Sequence, residues 1–282
     1  MGRRVRRGGA VAALLAVVLV GCAAPSPTGI TASIEQQRSD VALRQAQILV
    51  VNDGDTEIEV AEVVVEDPRF DGEAARVVDR TSRIAPGAAV GIRVQLPEMA
   101  CDVGDVADTT VTVDYEVGGV AHTATLAAPD TLGFLPGLHE RECRARRVAE
   151  AVSLAFTDFL PAAPGEASTL VLEVRPTGAA DATIDAIRST NLLLVGDDVD
   201  ADRVVLPLDI RVTSASDAAP TLVELPILPF RCDAHAVQED KRGTIFPFEV
   251  TVDGQSGTIE LPVPDEMKGR ILTWVAQWCG FA

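Results

Sequence analysis

Apolar and polar residues alternate in short runs along most of the chain, the period of half-buried β-strands. The run Gln47-Ile48-Leu49-Val50-Val51 enters the turn Asn52-Asp53-Gly54, and Ile58-Glu59-Val60-Ala61-Glu62-Val63-Val64-Val65 alternates after it. The same order recurs later: Thr169-Leu170-Val171-Leu172-Glu173-Val174, then Pro176-Thr177-Gly178, then Ala182-Thr183-Ile184-Asp185-Ala186-Ile187. Further strands are predicted over 90–96 and 203–210. Short strands separated by turn signals predict β-sandwiches. No long amphipathic helix is expected, although 38–47 and 140–153 each accommodate a short one.

A diverged internal repeat organises this pattern. Residues 111–130 and 246–265 align without a gap and share Val117/Val252, Gly119/Gly254, Thr123/Thr258, Leu126/Leu261, Pro129/Pro264 and Asp130/Asp265. Each copy reads as a hairpin around Gly118-Gly119 or Asp253-Gly254 and ends in Pro-Asp. A Cys-Asp pair precedes each hairpin, and a second cysteine follows it. The expected fold class is therefore all-β: two tandem immunoglobulin-like sandwiches over about 41–147 and 148–282, with a junction near 144–150. Four cysteines permit three pairings. The repeat favours Cys101 with Cys143 and Cys232 with Cys279, because swapped pairings would cross between copies.

The N-terminus follows a different rule. Arg3, Arg4, Arg6 and Arg7 precede an apolar run over 10–20 that is too short to span a bilayer. Leu19-Val20-Gly21-Cys22 then resembles the lipobox of bacterial lipoproteins. The resemblance implies cleavage before Cys22, diacylglyceryl attachment to its thiol, and residence on the outer face of the cell membrane. Residues 22–40, rich in Pro, Ser and Thr, read as a flexible tether. An exported chain keeps disulfides closed.

In the first copy, Asn52-Asp53-Gly54-Asp55, Asp67-Pro68-Arg69-Phe70, Ile84-Ala85-Pro86-Gly87 and Leu96-Pro97 resemble bacterial immunoglobulin-like domains of the Hydin and major-sperm-protein type. That resemblance covers roughly 45–100 and implies an interaction module.

Charge narrows the partners. Without the four signal arginines, 20 Lys and Arg face 42 Asp and Glu, a formal charge of −22. Such a body repels nucleic acid and anionic headgroups, so no nucleic-acid partner is expected. Aromatics make up 4% of the chain, which argues against a ring-stacking platform for sugars or bases.

Candidate chemistry is sparse. His122, His139 and His235 join no recognisable catalytic motif, and the sequence has no nucleophile elbow, zinc-protease helix or phosphate loop. No enzyme activity, cofactor or metal is expected. Gly196-Asp197-Asp198-Val199-Asp200-Ala201-Asp202 concentrates carboxylates but lacks the EF-hand pattern, so it reads as a solvated acidic turn. Trp274 and Trp278 share one face of 270–279, whether that segment is strand or helix. They are either core packing or the anchors of a partner-binding patch. The reading is a lipid-anchored, non-enzymatic protein-binding or scaffolding module engaging another envelope protein. A ligand-binding lipoprotein serving a transporter or sensor is the alternative.

Overall fold

The computed structural model describes residues 29–41, 43–103, 108–197, 205–215, 219–239 and 242–281. The chain is mostly β, folded into sandwich-like sheets with two disulfides. Its first half contains β1 (Ile30–Glu35), α1 (Arg38–Val41), β2 (Gln45–Asn52), β3 (Ile58–Glu66), β4 (Ala74–Arg76), β5 (Ser82–Ile84), β6 (Ala89–Gln95), β7 (Thr110–Val117), β8 (Val120–Ala127) and α2 (Phe134–Ala151). The second contains β9 (Val152–Leu160), β10 (Ser168–Pro176), β11 (Ala182–Arg188), β12 (Leu193–Val195), β13 (Val205–Val212), β14 (Thr221–Pro229), α3 (Ala234–Glu239), β15 (Ile245–Val252), β16 (Gln255–Pro262) and α4 (Asp265–Trp278).

The two halves share a strand order. The second half has two four-stranded sheets, β12-β14-β10-β9 and β13-β11-β15-β16. In the first half β4-β6-β2-β1 and β5-β3-β7-β8 follow the same order, but β4 also pairs with β3, which joins the layers into one sheet. Alternation explains both cores: Ile48 and Val50 of β2, like Leu170, Leu172 and Val174 of β10, point inward and are buried. The hairpin turns have positive φ at both central residues, Gly118 (58°) and Gly119 (81°), then Asp253 (52°) and Gly254 (72°). That mirror-image geometry matches the right-handed twist of the flanking strands.

Three expectations are corrected. First, the supposed tether over 22–40 already contains β1 and α1. Ile30, Ala32 and Ile34 alternate into the core, and β1 pairs with β2 over its whole length. Thr31 and Ser33 alternate with these residues along β1, so composition alone does not reveal the strand. Second, long helices exist: α2 has 18 residues and α4 has 14. Third, the junction expected near 144–150 lies within α2, which runs unbroken to Ala151 and passes directly into β9.

The helix α2 serves two cores. Leu135 and Cys143 belong to the first hydrophobic cluster, whereas Val148 and Ala151 belong to the second. The first half grips the helix through Arg44, whose guanidinium bonds Glu142 and the carbonyl of Pro97. His139 Nε2 hydrogen-bonds with the Ala100 carbonyl at 2.9 Å, and Arg146 donates to the Met99 carbonyl at 2.8 Å. From the second half, Thr177 N–H donates to the Ala151 carbonyl at 3.0 Å. Arg144 lies across Gly257 of β16, where an added Cβ would come 2.1 Å from the guanidinium carbon. Cys101 is bonded to Cys143 in the middle of α2, and Cys232 to Cys279 just past the end of α4.

Candidate functional site

The residues with distinctive chemistry mostly hold the fold together. Asn52 is 1% exposed; its amide donates to the Thr56 and Ile84 carbonyls at 2.8 and 3.0 Å, and its Oδ1 accepts from Gly54 N–H. Asp67 is likewise buried and accepts hydrogen bonds from Arg69 and Thr109. Burial alone would raise its pKa, but the bonds from Arg69 and Thr109 and the Arg69 charge outweigh burial and hold it below the ordinary carboxylate value.

The histidines stand apart from one another. His122 is exposed on β8 and stacks on Tyr115 with ring centres 5.4 Å apart, while His139 lies against α2's seat on the first half. His235 is exposed on α3. Among the described residues no group of three or more His, Cys, Asp or Glu side chains is placed to hold a metal ion. Asp197 is exposed, and the rest of the acidic run to Asp202 lies outside the described residues. Cys22 also lies outside them. No helix among the described residues is long and apolar enough to cross a membrane.

The 270–279 segment is helical, and its tryptophans differ. Met267, Ile271, Trp274 and Val275 form the buried stripe of α4 at helical spacing. Trp274 is 4% exposed, packs edge-on against Phe159 at 5.4 Å, and donates its Nε1–H to the Ala162 carbonyl at 3.2 Å. It is therefore not the exposed anchor considered from sequence: the helical turn that aligns it with Met267 and Ile271 points it into the core. Trp278 is half-buried against the same core, and its Nε1 has no partner among the described residues.

What α4 does create is a groove of about 540 Å³ along the end of β9. Phe159 and Trp274 form its floor, with Pro161, Arg270, Thr273 and Gln277 around them. Arg270 sits 5.9 Å over the Phe159 ring and bonds the Phe159 carbonyl, which fixes one wall. Gly269, Thr273 and Gln277 are exposed along the helix, and Leu160 is 50% exposed beside them. The Pro-Asp steps at 129–130 and 264–265 were legible helix-start signals that strand reasoning passed over. Asp130 Oδ2 accepts from the Leu135 N–H at 2.8 Å, and Asp265 opens α4.

A larger hollow of about 700 Å³ lies on the second half, lined by Asp181, Asp185, Asp209, Asp253, Thr251 and Arg211 among others. Two of its carboxylates are engaged locally: Asp181 accepts from the Ser214 N–H at 2.6 Å and Asp185 from the Thr251 hydroxyl at 2.8 Å.

No protein family matches the chain, and no curated protein matches it. Among solved structures, the YadV chaperone aligns with 83% of this chain and 100% of its own at 12% identity and a TM-score of 0.23. The CupB2 chaperone of Pseudomonas aeruginosa aligns over 82% and 97% at 11% identity and a TM-score of 0.24. A chain of the CsuC–CsuE chaperone–tip adhesion subunit pre-assembly complex of Acinetobacter baumannii aligns over 83% and 100%, at 12% identity and a TM-score of 0.21. At these scores the likenesses carry no argument about this chain.

Proposed function

We propose that this chain is a lipid-anchored extracytoplasmic protein, built of two tandem immunoglobulin-like sandwiches with one disulfide each. We propose further that it acts as a non-enzymatic binding module for another envelope protein. The groove between α4 and β9 carries the binding role. An aromatic floor locked by a hydrogen bond, with exposed polar side chains around it, has the anatomy of a protein-recognition patch. Its floor is ordered before a partner arrives, so little side-chain entropy is lost on docking.

The anchor reading rests on the N-terminal sequence and gains a geometric consequence. β1 starts at Ile30, eight positions after Cys22. Covalent geometry then keeps Ile30 within about 30 Å of a lipidated Cys22. The first half would thus stand next to the membrane.

A photo-crosslinker at Gln277 in intact cells tests the binding role. One envelope protein should be captured, and Thr273→Arg, which puts a bulky charge in the groove lining and leaves Phe159 and Trp274 unchanged, should abolish the capture. Absence of any captured protein, or capture indifferent to Thr273→Arg, overturns the reading. The anchor is tested separately: Cys22→Ser should leave the precursor uncut or release the protein from membranes. A processed, membrane-bound variant overturns it.

A further inference from the structure

A basic cavity lies on the first half, at the point where the chain crosses between layers. β4 leaves the edge of β6 at Arg76, residues 77–81 make the crossing, and β5 pairs with β3 from Ser82. The crossing leaves a cavity of about 260 Å³ lined by Gln47, Arg76, Val78, Arg80, Ser82, Gly91, Ile92 and Arg93. Three of those eight residues are arginines and none is acidic. In a chain of formal charge −18 the only charged side chains lining this cavity are basic, in contrast to the aspartate-lined hollow on the second half.

The arginines are held differently. Arg76 is fixed from behind: Nε donates to the Val78 carbonyl at 2.9 Å, Nη1 to the Val60 and Ala61 carbonyls at 3.1 Å each, and Nη2 to the Ser82 hydroxyl at 2.8 Å. Its partners are all neutral, whereas the buried Arg69 has Asp67. Burial pushes the Arg76 pKa down; Arg80 adds to that effect, while Glu62 and Asp79 oppose it without forming an ion pair with Arg76. Arg93 leans on the buried Asp40 at 3.4 Å but keeps its side chain 54% exposed. Arg80 is exposed and has no side-chain partner among the described residues. Gln47 crosses the floor because Gly91 has no Cβ; one would sit 2.6 Å from its Oε1.

We propose that this cavity takes a carboxylate presented by an acidic segment of a partner protein. Guanidinium groups match carboxylates with paired, charge-assisted hydrogen bonds. Val78, 48% exposed in the cavity lining, and Val77 next to it in the chain, 40% exposed, offer apolar contact to the methylenes of an acidic side chain. A bare inorganic anion has nothing to place there. The site is distinct from the α4 groove and does not depend on it.

Calorimetric titration of the full chain in detergent tests this, with hexaglutamate and inorganic phosphate as probes. Hexaglutamate should bind saturably, more weakly as salt rises. Arg80→Ala should weaken binding about tenfold or more, consistent with the loss of a charge-assisted bond, and Thr273→Arg should leave it unchanged. An unaltered thermal transition for Arg80→Ala shows that the fold is intact, as expected for an exposed side chain without partners. No hexaglutamate binding, binding indifferent to Arg80→Ala, or phosphate binding as tightly as hexaglutamate would overturn the proposal.

Discussion

The two halves of this protein share a strand order but differ in how their layers are joined and filled. In the first half β4 pairs on both sides and ties the layers together, and the core is almost entirely Ile, Val, Leu and Ala, with Phe70 and Tyr115 its only buried rings among the described residues. In the second half the layers are separate sheets, with Phe156 packed against Phe246 and Phe248 between them and Phe159 packed against Trp274 of α4 in the same core. Hydrogen bonding across layers in one half is replaced by aromatic volume in the other. One plan therefore tolerates two ways of holding its faces together, provided the inward positions remain apolar.

The sharpest way to break the comparison is to remove aromatic volume. Trp274→Ala should cost about 3–5 kcal/mol, the range for a large buried ring. Hydrogen exchange should show β9 to β16 losing protection before β1 to β8. Equal loss in both halves would mean that α2 makes them a single cooperative unit.

Disulfide removal comes next. Closing loops of 42 and 47 positions contributes about 3–4 kcal/mol each. Because Cys143 sits in the helix shared by both cores, Cys143→Ser should loosen both halves. Cys279→Ser should loosen only the second. Exchange rates for β10 and β15 in the Cys143→Ser variant separate these outcomes.

Acid provides the smallest and most local test. Asp67 has a folded pKa below its unfolded value of about 3.9. Its contribution is thus complete above that unfolded value and is lost as pH falls through the lower folded one. Near-ultraviolet dichroism of Tyr115, the chain's only tyrosine, should change in that acid range before the tryptophan signal of the second half does. Asp67→Asn should remove that difference in order.

Several elements were readable because their signal is local. The hairpins at 110–127 and 245–262 combine a two-residue period with a turn that demands positive φ, and both appear at the residues that carry those signals. Other elements were not. α2 escaped because its apolar positions are divided between two cores, leaving no single stripe for periodicity to find. β1 escaped because Thr31, Ser33 and the preceding Pro and Ser residues resemble a tether until β2 pairs with it. The candidate groove was half legible: aromatic residues drew attention to α4, but the direction of Trp274 depends on Phe159, more than a hundred positions earlier.

The alternation, the hairpin turns and the cysteine spacing are written along the chain, because period and turn chemistry involve neighbouring residues. So is the resemblance of residues 1–22 to a lipoprotein signal ending in a lipobox. Which side of α4 faces the core, how β4 joins two layers, and how Arg76, Arg80 and Arg93 come to line one cavity were decided only by tertiary structure. Those features depend on distant segments competing for the same buried space, and no local period records the outcome of that competition.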